Sequence, residues 1–356
     1  MRGFFRCRGH AGSLAPGHIS IGLFAVPAVL VFVVLAGLSA LALPSVLKTE
    51  HRTDQVPPAS GAGPRFAPYV NAWATAPTPP GVKDLILSFI VADDGRCKPE
   101  WDADVPVAEP RVRDRIAATR RAGGDVRVSF GGADGTELAT ACTRVPQLIA
   151  AYGSVIDHYD LTEVDFDIED EALSDPRARA RRAEAIAELQ RTHEGLDVSF
   201  TLPVLPTGLT DDGMALLTEA RESGVRVSTV NIMTMNYGEA LRGDMGGYAM
   251  QAATNAQAQV RTVLRLTDAA AWRALAVTPM VGVNDVAGEV FTLEDAAQLA
   301  DFAADKRIGG LSMWSAERDR PCLGESKREP DHACSGVQQR PGAYTAALRR
   351  ATEASA

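Results

Sequence analysis

From Phe66 onward the chain alternates between two kinds of segment, and this alternation restricts its fold more than any other feature. Short β-rich runs occupy Pro68–Trp73, Asp84–Val91, Asp125–Phe130, Glu163–Glu169, Asp197–Pro203, Val227–Met235, Ala274–Val281 and Gly309–Trp314. Ala-, Arg- and Leu-rich stretches with helical spacing lie between them, at Val112–Ala122, Thr136–Tyr152, Pro176–His193, Asp211–Ser223, Gln251–Leu266 and Leu293–Lys306. Such a series predicts the α/β class and a single (β/α)8 barrel, the TIM barrel. A doubly wound open sheet is the runner-up, but it would carry a Gly-rich phosphate turn after its first strand, and none follows Trp73. In a barrel the chemistry sits at the C-terminal ends of the strands.

Ahead of this domain, Arg2, Arg6 and Arg8 precede an uncharged apolar run, Ile19–Leu43. About 20 apolar residues span a bilayer core, and the basic flank favours a cytoplasmic N-terminus. Ala40-Leu41-Ala42 offers the competing reading of a cleaved signal peptide, whose apolar stretch is usually about 7–15 residues. The longer run here favours an uncleaved anchor. The expected organisation is a basic cytoplasmic segment (1–18), a transmembrane anchor or signal sequence (19–43), a Pro/Gly-rich linker (44–65) and a catalytic barrel (66–356). Either reading exports the barrel, as a membrane-anchored domain outside the cell or as a secreted one.

Cysteine usage agrees. Cys7 lies on the cytoplasmic side, and four cysteines remain outside, an even number that predicts disulfides. Cys322 and Cys334 bracket a short polar loop and form the expected pair, leaving Cys97 with Cys142. Zinc is disfavoured, because the spacings contain no C-x-x-C and the six His include no paired ligands. With 36 Lys+Arg against 45 Asp+Glu the net charge is −9, which disfavours nucleic acid as a partner.

The fourth run, Thr162-Glu163-Val164-Asp165-Phe166-Asp167-Ile168-Glu169-Asp170, carries the chemistry. Side chains alternate along a strand, so Val164, Phe166 and Ile168 face the helices and Asp165, Asp167 and Glu169 face the interior. Neighbours on one face are ~6.6 Å apart. At an effective dielectric of 20, two charges at that spacing repel by roughly 2.5 kcal/mol, close to two pKa units. At least one proton is therefore retained near neutral pH, as a glycosidase needs in order to protonate a leaving oxygen. A solvated acidic face, and a Mg²⁺ or Ca²⁺ site, compete on alternation alone. Both are weakened by the position of the run in the middle of the series, where strands are covered.

Val164-Asp165-Phe166-Asp167-Ile168-Glu169 resembles the D-x-D-x-E signature of glycoside hydrolase family 18, the chitinases and their relatives. Ser129-Phe130-Gly131-Gly132 resembles that family's S-x-G-G motif, and Gly309-Gly310-Leu311-Ser312-Met313-Trp314-Ser315 its Trp-bearing eighth strand. The resemblance extends over most of Phe66–Arg350. It implies retaining cleavage of β-1,4 bonds beside N-acetylglucosamine, the substrate's own acetamido oxygen acting as nucleophile, with no metal or cofactor. Glu169 is then the acid and base, Asp167 orients the acetamido group, and Asp165 holds Asp167 through a shared proton. Trp314 stacks on the sugar in the −1 subsite. Ser129, Gly131 and Gly132 support the acidic strand.

Some positions depart from the family pattern. Met233-Thr234-Met235-Asn236-Tyr237 stands where many relatives have Met-x-Tyr-Asp, so Met235 replaces the Tyr and Asn236 the Asp. Asn236 still has a donor for a substrate carbonyl, and Tyr237 is expected near the rim. Losing that carboxylate lowers the expected pKa of Glu169 and implies an acid-shifted optimum. Thr162 stands where many members carry an Asp, which points to the shorter D-x-D-x-E subgroup. Met280, Asn284 and Asp285 are expected at the rim, in reach of sugar, although the last two suit a loop cap equally well. The expected function is hydrolysis of chitin or chitooligosaccharides. The alternatives are a lectin-like glycan-binding protein, against which Glu169 argues, and an endo-β-N-acetylglucosaminidase acting on glycans or peptidoglycan.

Overall fold

The computed structural model describes residues 64–75, 78–323 and 329–353. The segments expected at 1–18 and 19–43, and nearly all of the linker, lie outside the described residues. Among the described residues no helix is long and apolar enough to cross a membrane. Strand pairing begins at Arg65, one residue before the expected start of the barrel, where Arg65 pairs with Gly310.

The parallel strands are β1 (Arg65–Phe66), β2 (Tyr69–Asn71), β3 (Leu85–Ala92), β4 (Val126–Gly131), β5 (Glu163–Asp167), β6 (Asp197–Leu205), β7 (Val227–Met233), β8 (Leu275–Thr278) and β9 (Gly310–Leu311). Each pairs in parallel with the next from β2 to β9, and β9 pairs with β1. β1 and β2 are one extended stretch interrupted at Ala67-Pro68. Ala67 N and Tyr69 N reach Leu311 O and Met313 O on one side, and Pro68 O accepts from Ile86 N on the other. The hydrogen-bonded path thus returns to its starting segment. Short antiparallel additions, such as Pro99–Trp101 along β3, make the sheet mixed.

Seven longer helices accompany the strands: α1 (Pro110–Arg121), α2 (Val145–Tyr159), α3 (Pro176–Thr192), α4 (Asp211–Glu222), α5 (Met245–Val263), α6 (Leu293–Lys306) and α7 (Ala343–Glu353). Their starts are chemically marked. Asp175 accepts from Arg177 N ahead of α3, and Thr292 and Asp295 form a reciprocal capping box on α6. The helix expected over Thr136–Tyr152 is split. A turn of helix at Leu138–Ala141 ends at Cys142, and α2 restarts at Val145 with Pro146 in its first turn. α5 starts ahead of Gln251, where Asp244 caps it and Gly246 lets the helix meet Asp295 of α6; a Cβ on Gly246 would stand 2.9 Å from Asp295 Oδ1. α7 has no counterpart in the expected series.

β3 reads LILSFIVA and is almost wholly buried, as a strand covered on both faces should be. β5 is different. Val164, Phe166 and Ile168 pack outward, Phe166 stacking on Phe130 at 5.4 Å and meeting Tyr152 of α2 edge-on at 5.1 Å. The strand ends at Asp167, two residues before the expected limit. Ile168 N still donates to Thr201 O, and Glu169, in extended conformation, opens a helix of five residues, Asp170–Ser174.

Both expected disulfides form, Cys97–Cys142 and Cys322–Cys334, with sequence separations of 45 and 12. Chain-entropy arguments give about 4 kcal/mol for the longer loop and about 3 kcal/mol for the shorter. Urea unfolding is therefore expected to show Cys97→Ser/Cys142→Ser as the more destabilised double variant; equal midpoints would contradict this.

Candidate active site

The site is built from the interior face of β5. Asp165 is 1% exposed, and hydroxyl groups from neighbouring strands converge on it. Ser129 of β4 donates to Oδ2 at 2.7 Å, Tyr69 of β2 to the same oxygen at 3.1 Å, Ser199 of β6 to Oδ1 at 2.5 Å, and Thr201 lies 2.9 Å from both oxygens. Asn231 continues the network, donating to Thr201 Oγ1 at 3.0 Å and accepting from Thr278 at 2.8 Å. Burial pushes the Asp165 carboxyl upward, opposed by the Ser199 and Ser129 hydrogen bonds, the Arg127 charge and the Thr201 hydrogen bond; it stays above the ordinary range. Arg127, one pleat below Ser129, is itself paired with Glu163 at 3.0 Å and Asp197 at 2.7 Å.

Asp167 stands one pleat nearer the strand end and is buried. Burial, then the charges of Glu169 and Asp165, then a hydrogen bond with Glu169, hold its carboxyl well above the usual range. Glu169 is pushed up to about 7, by burial first and then by Asp170, Asp134 and Asp285, with the Asp167 hydrogen bond pulling down. One departure from the expected roles follows. Asp165 spends its hydrogen bonds on hydroxyls, and among the described residues none of them joins it to Asp167. The reason is reach: strands on both sides present hydroxyls at the level of Asp165.

Ser129, Gly131 and Gly132, expected as supports, lie against this strand. Gly131 has φ 105°, and a Cβ there would stand 2.0 Å from Asp167 O. Gly132 N donates to that oxygen at 2.9 Å. Thr162 lies at the opposite end of β5 from Glu169, exposed and bonded to Asp125 at 3.2 Å.

Trp314 is half-buried beyond the end of β9, stacked on Phe89 at 5.5 Å and edge-on to Tyr69 at 5.8 Å. Met280, expected within reach of sugar, is buried and pairs through its backbone with Trp314. Tyr237, expected at the rim, belongs to the core and packs edge-on against Tyr248 at 6.1 Å. The chain turns inward there because Asn236 adopts φ 54° and Gly238 φ 107°. Met235 is partly buried. Asn284 is a loop cap, its amide donating to Met280 O and Gly282 O.

Asn236 is exposed, but its side chain is committed. It donates to Asp285 Oδ2 at 3.1 Å and accepts from Asp285 N at 3.2 Å. Asp285 therefore supplies a carboxylate to a region that seemed to have lost one, and its charge helps to raise Glu169. The lowered Glu169 pKa expected from the Asn at 236 is offset in this way.

Several neighbours of the candidate site residues escaped the sequence reading: Tyr69, Ser199, Thr201, Asn231 and Phe89. A signal existed for some of them. Ser199 and Thr201 alternate with Val198, Phe200 and Leu202 on β6, which marks a polar interior face. Nothing in the sequence says which carboxylate those hydroxyls meet.

No family model matches the chain. Over 254 residues it is 37% identical to a probable bifunctional chitinase/lysozyme of Escherichia coli (strain K12), an alignment spanning 67% of this chain and 28% of that protein. Over 220 residues it is 39% identical to endochitinase 11 of Metarhizium anisopliae, spanning 58% and 42% respectively. The chain thus covers less than half the length of these two curated relatives. The crystallised catalytic domain of a hyperthermophilic chitinase from Pyrococcus furiosus aligns with a TM-score of 0.74 and 32% identity, over 83% of this chain and 98% of that one.

The charge pattern around Glu169 is testable without substrate. In ¹³C NMR titrations, Glu169 is expected to titrate at about 7 in the wild-type chain. Asp285→Asn removes one of the surrounding charges and is expected to lower that midpoint by a few tenths of a pH unit, since exposed charges are screened. An unmoved midpoint would deny Asp285 this part.

Proposed function

The chain belongs to glycoside hydrolase family 18, the chitinases, and on that premise we propose that it cleaves β-1,4 bonds in N-acetylglucosamine polymers with retention. The proposal reads the closed circuit of parallel strands as a (β/α)8 barrel, with the cleft at the C-terminal strand ends, and assigns the chain to the short D-x-D-x-E subgroup. One observation carries it: Asp165, Asp167 and Glu169 follow one another at two-residue intervals along β5 and its extended end, the two aspartates buried, with burial and neighbouring carboxylates pushing Glu169 up to about 7.

In this mechanism Glu169, protonated near neutrality, gives its proton to the glycosidic oxygen as that bond breaks. The acetamido oxygen of the −1 sugar attacks the anomeric carbon and closes an oxazolinium ring. Asp167 faces the acetamido N–H, and its carboxylate stabilises the positive charge that develops on the acetamido group. Its Oδ1 supports this part, being buried with no hydrogen-bond partner among the described residues. Glu169, now a carboxylate, takes a proton from water, which opens the ring and regenerates the acid. Asp165 stays in its hydroxyl cage and fixes the strand. Trp314, backed by Phe89 and Tyr69, offers an aromatic face for the apolar side of the sugar.

The domain is further proposed to work outside the cell, tethered through residues 19–43 or released by cleavage. The uncharged run in the sequence and the two disulfides support this location. Likeness to a probable bifunctional chitinase/lysozyme makes peptidoglycan a second candidate substrate.

The test is turnover of chitooligosaccharides, and separately of peptidoglycan, by the full chain alongside Glu169→Gln. The variant is expected to lose about a thousandfold in kcat. The wild-type rate is expected to fall as pH rises through about 7, where the acid form of Glu169 disappears. Binding without cleavage by both proteins would replace the hydrolase with a lectin, and full activity of the variant would remove Glu169 from its role.

A further inference from the structure

On the helix side of the sheet sits a buried ion pair that the proposed reaction does not use. Arg182 of α3 donates through Nη2 to Glu137 Oε2 at 2.7 Å, and both side chains are almost completely enclosed. Tyr152 of α2 donates to the other carboxylate oxygen at 2.6 Å, and Ala139 N to Oε2 at 2.8 Å. Burial pushes Glu137 upward, but Arg182 and these hydrogen bonds outweigh it and hold the carboxyl below its ordinary range, so the pair is ionised.

The pair touches both loops that frame Glu169. Glu137 closes the loop opened by Gly131 and Gly132, which carries Asp134. A Cβ on Gly131 would lie 3.7 Å from Glu137 Cγ. Arg182 Nη2 also reaches the carbonyl of Ala172 at 3.4 Å, within the five-residue helix that Glu169 opens. Tyr152 joins the pair to Phe166, the residue between Asp165 and Asp167, through an edge-on contact at 5.1 Å.

Buried ion pairs add little stability over an apolar replacement, because desolvation offsets their attraction. What a charged, directional pair does supply is a fixed geometry. We infer that Arg182, acting through Glu137 and the Ala172 carbonyl, is a positioning residue that holds these two loops in register and so sets the orientation of Glu169. It touches no substrate, and the inference rests on the assignment of Glu169 as the acid. The carboxylates facing Glu169 are Asp167 on β5, Asp170 on the following helix, Asp134 on the loop after β4 and Asp285 after β8. A shift of the loops changes the distances among them.

The test uses the full chain. Arg182→Met alone strands a buried carboxylate, so the decisive variant is Glu137→Gln/Arg182→Met, which removes both charges, keeps a carbonyl oxygen to accept from Ala139 N, and offers Tyr152 an amide N–H from which its hydroxyl can accept. It is expected to keep a thermal midpoint near wild type and KM within about twofold, while kcat falls about 10- to 100-fold, the cost of a small misplacement. The alkaline limb of the kcat–pH profile is expected to move with it, and Arg182→Lys to recover part of both changes. Wild-type kcat and limb in the folded double variant would overturn the inference. Should that variant fail to fold, Arg182→Lys decides: a partial loss with a moved limb supports the inference, and wild-type values for both overturn it. If the wild-type chain cleaves no oligomer, the hydrolase reading fails by itself. The NMR midpoint of Glu169 then still tests the pair, and an unchanged midpoint in the variants overturns it.

Discussion

The carboxyl group of Asp165 is tolerable in the interior of the sheet because hydroxyls from β2, β4 and β6 arrive around it together. Moving a carboxylate out of water costs several kcal/mol, and a hydrogen bond to a charged group returns about 1.5–3 kcal/mol. No single hydrogen bond could offset that cost. The cage forms only when the hydrogen-bonded path closes in one register, since a slip of one residue would turn every one of these hydroxyls outward. Closure of the sheet and satisfaction of Asp165 are therefore the same event.

With Asp165 fixed, the chemistry above it is a matter of distance from water. The three carboxyls climb one face of the chain at two-residue intervals, and exposure to solvent grows along the way. Asp165 is compensated by hydroxyls, Asp167 has only a second acid beside it, and Glu169 reaches the loops, where solvent and neighbouring charges act. Burial raises all three, but by different balances. The backbone makes room for this arrangement at Gly131, where any side chain would collide with the carbonyl of Asp167.

The loops then complete what the strands begin. Asp285 reaches the site because Asn236, in a left-handed conformation, holds it from both sides. Phe89 backs Trp314 from a different strand end. Glu137, Arg182 and Tyr152 join the loops flanking Glu169 to the outer face of β5. Each of these pairings crosses many residues of sequence, and each acts on a group already placed by the sheet.

The sequence by itself determined the α/β alternation, the inward row of Asp165, Asp167 and Glu169 and the Ser129-Phe130-Gly131-Gly132 turn, and it favoured the disulfide partners that the structure joins. All of these rest on local periodicity, on turn chemistry or on a small set of allowed pairings. It also carried the family likeness, because three motifs fall in order along the chain. Tertiary structure alone decided the rest: that Asp165 bonds to hydroxyls rather than to Asp167, that Tyr237 and Met280 are buried, that Asp285 stands in for a carboxylate missing at Asn236, and that Arg182 faces Glu137. The physical reason is common to all four. Each depends on which side chain from a distant segment occupies the same few ångströms, and a pattern of two or 3.6 residues records the face a side chain takes but not its partner across the fold.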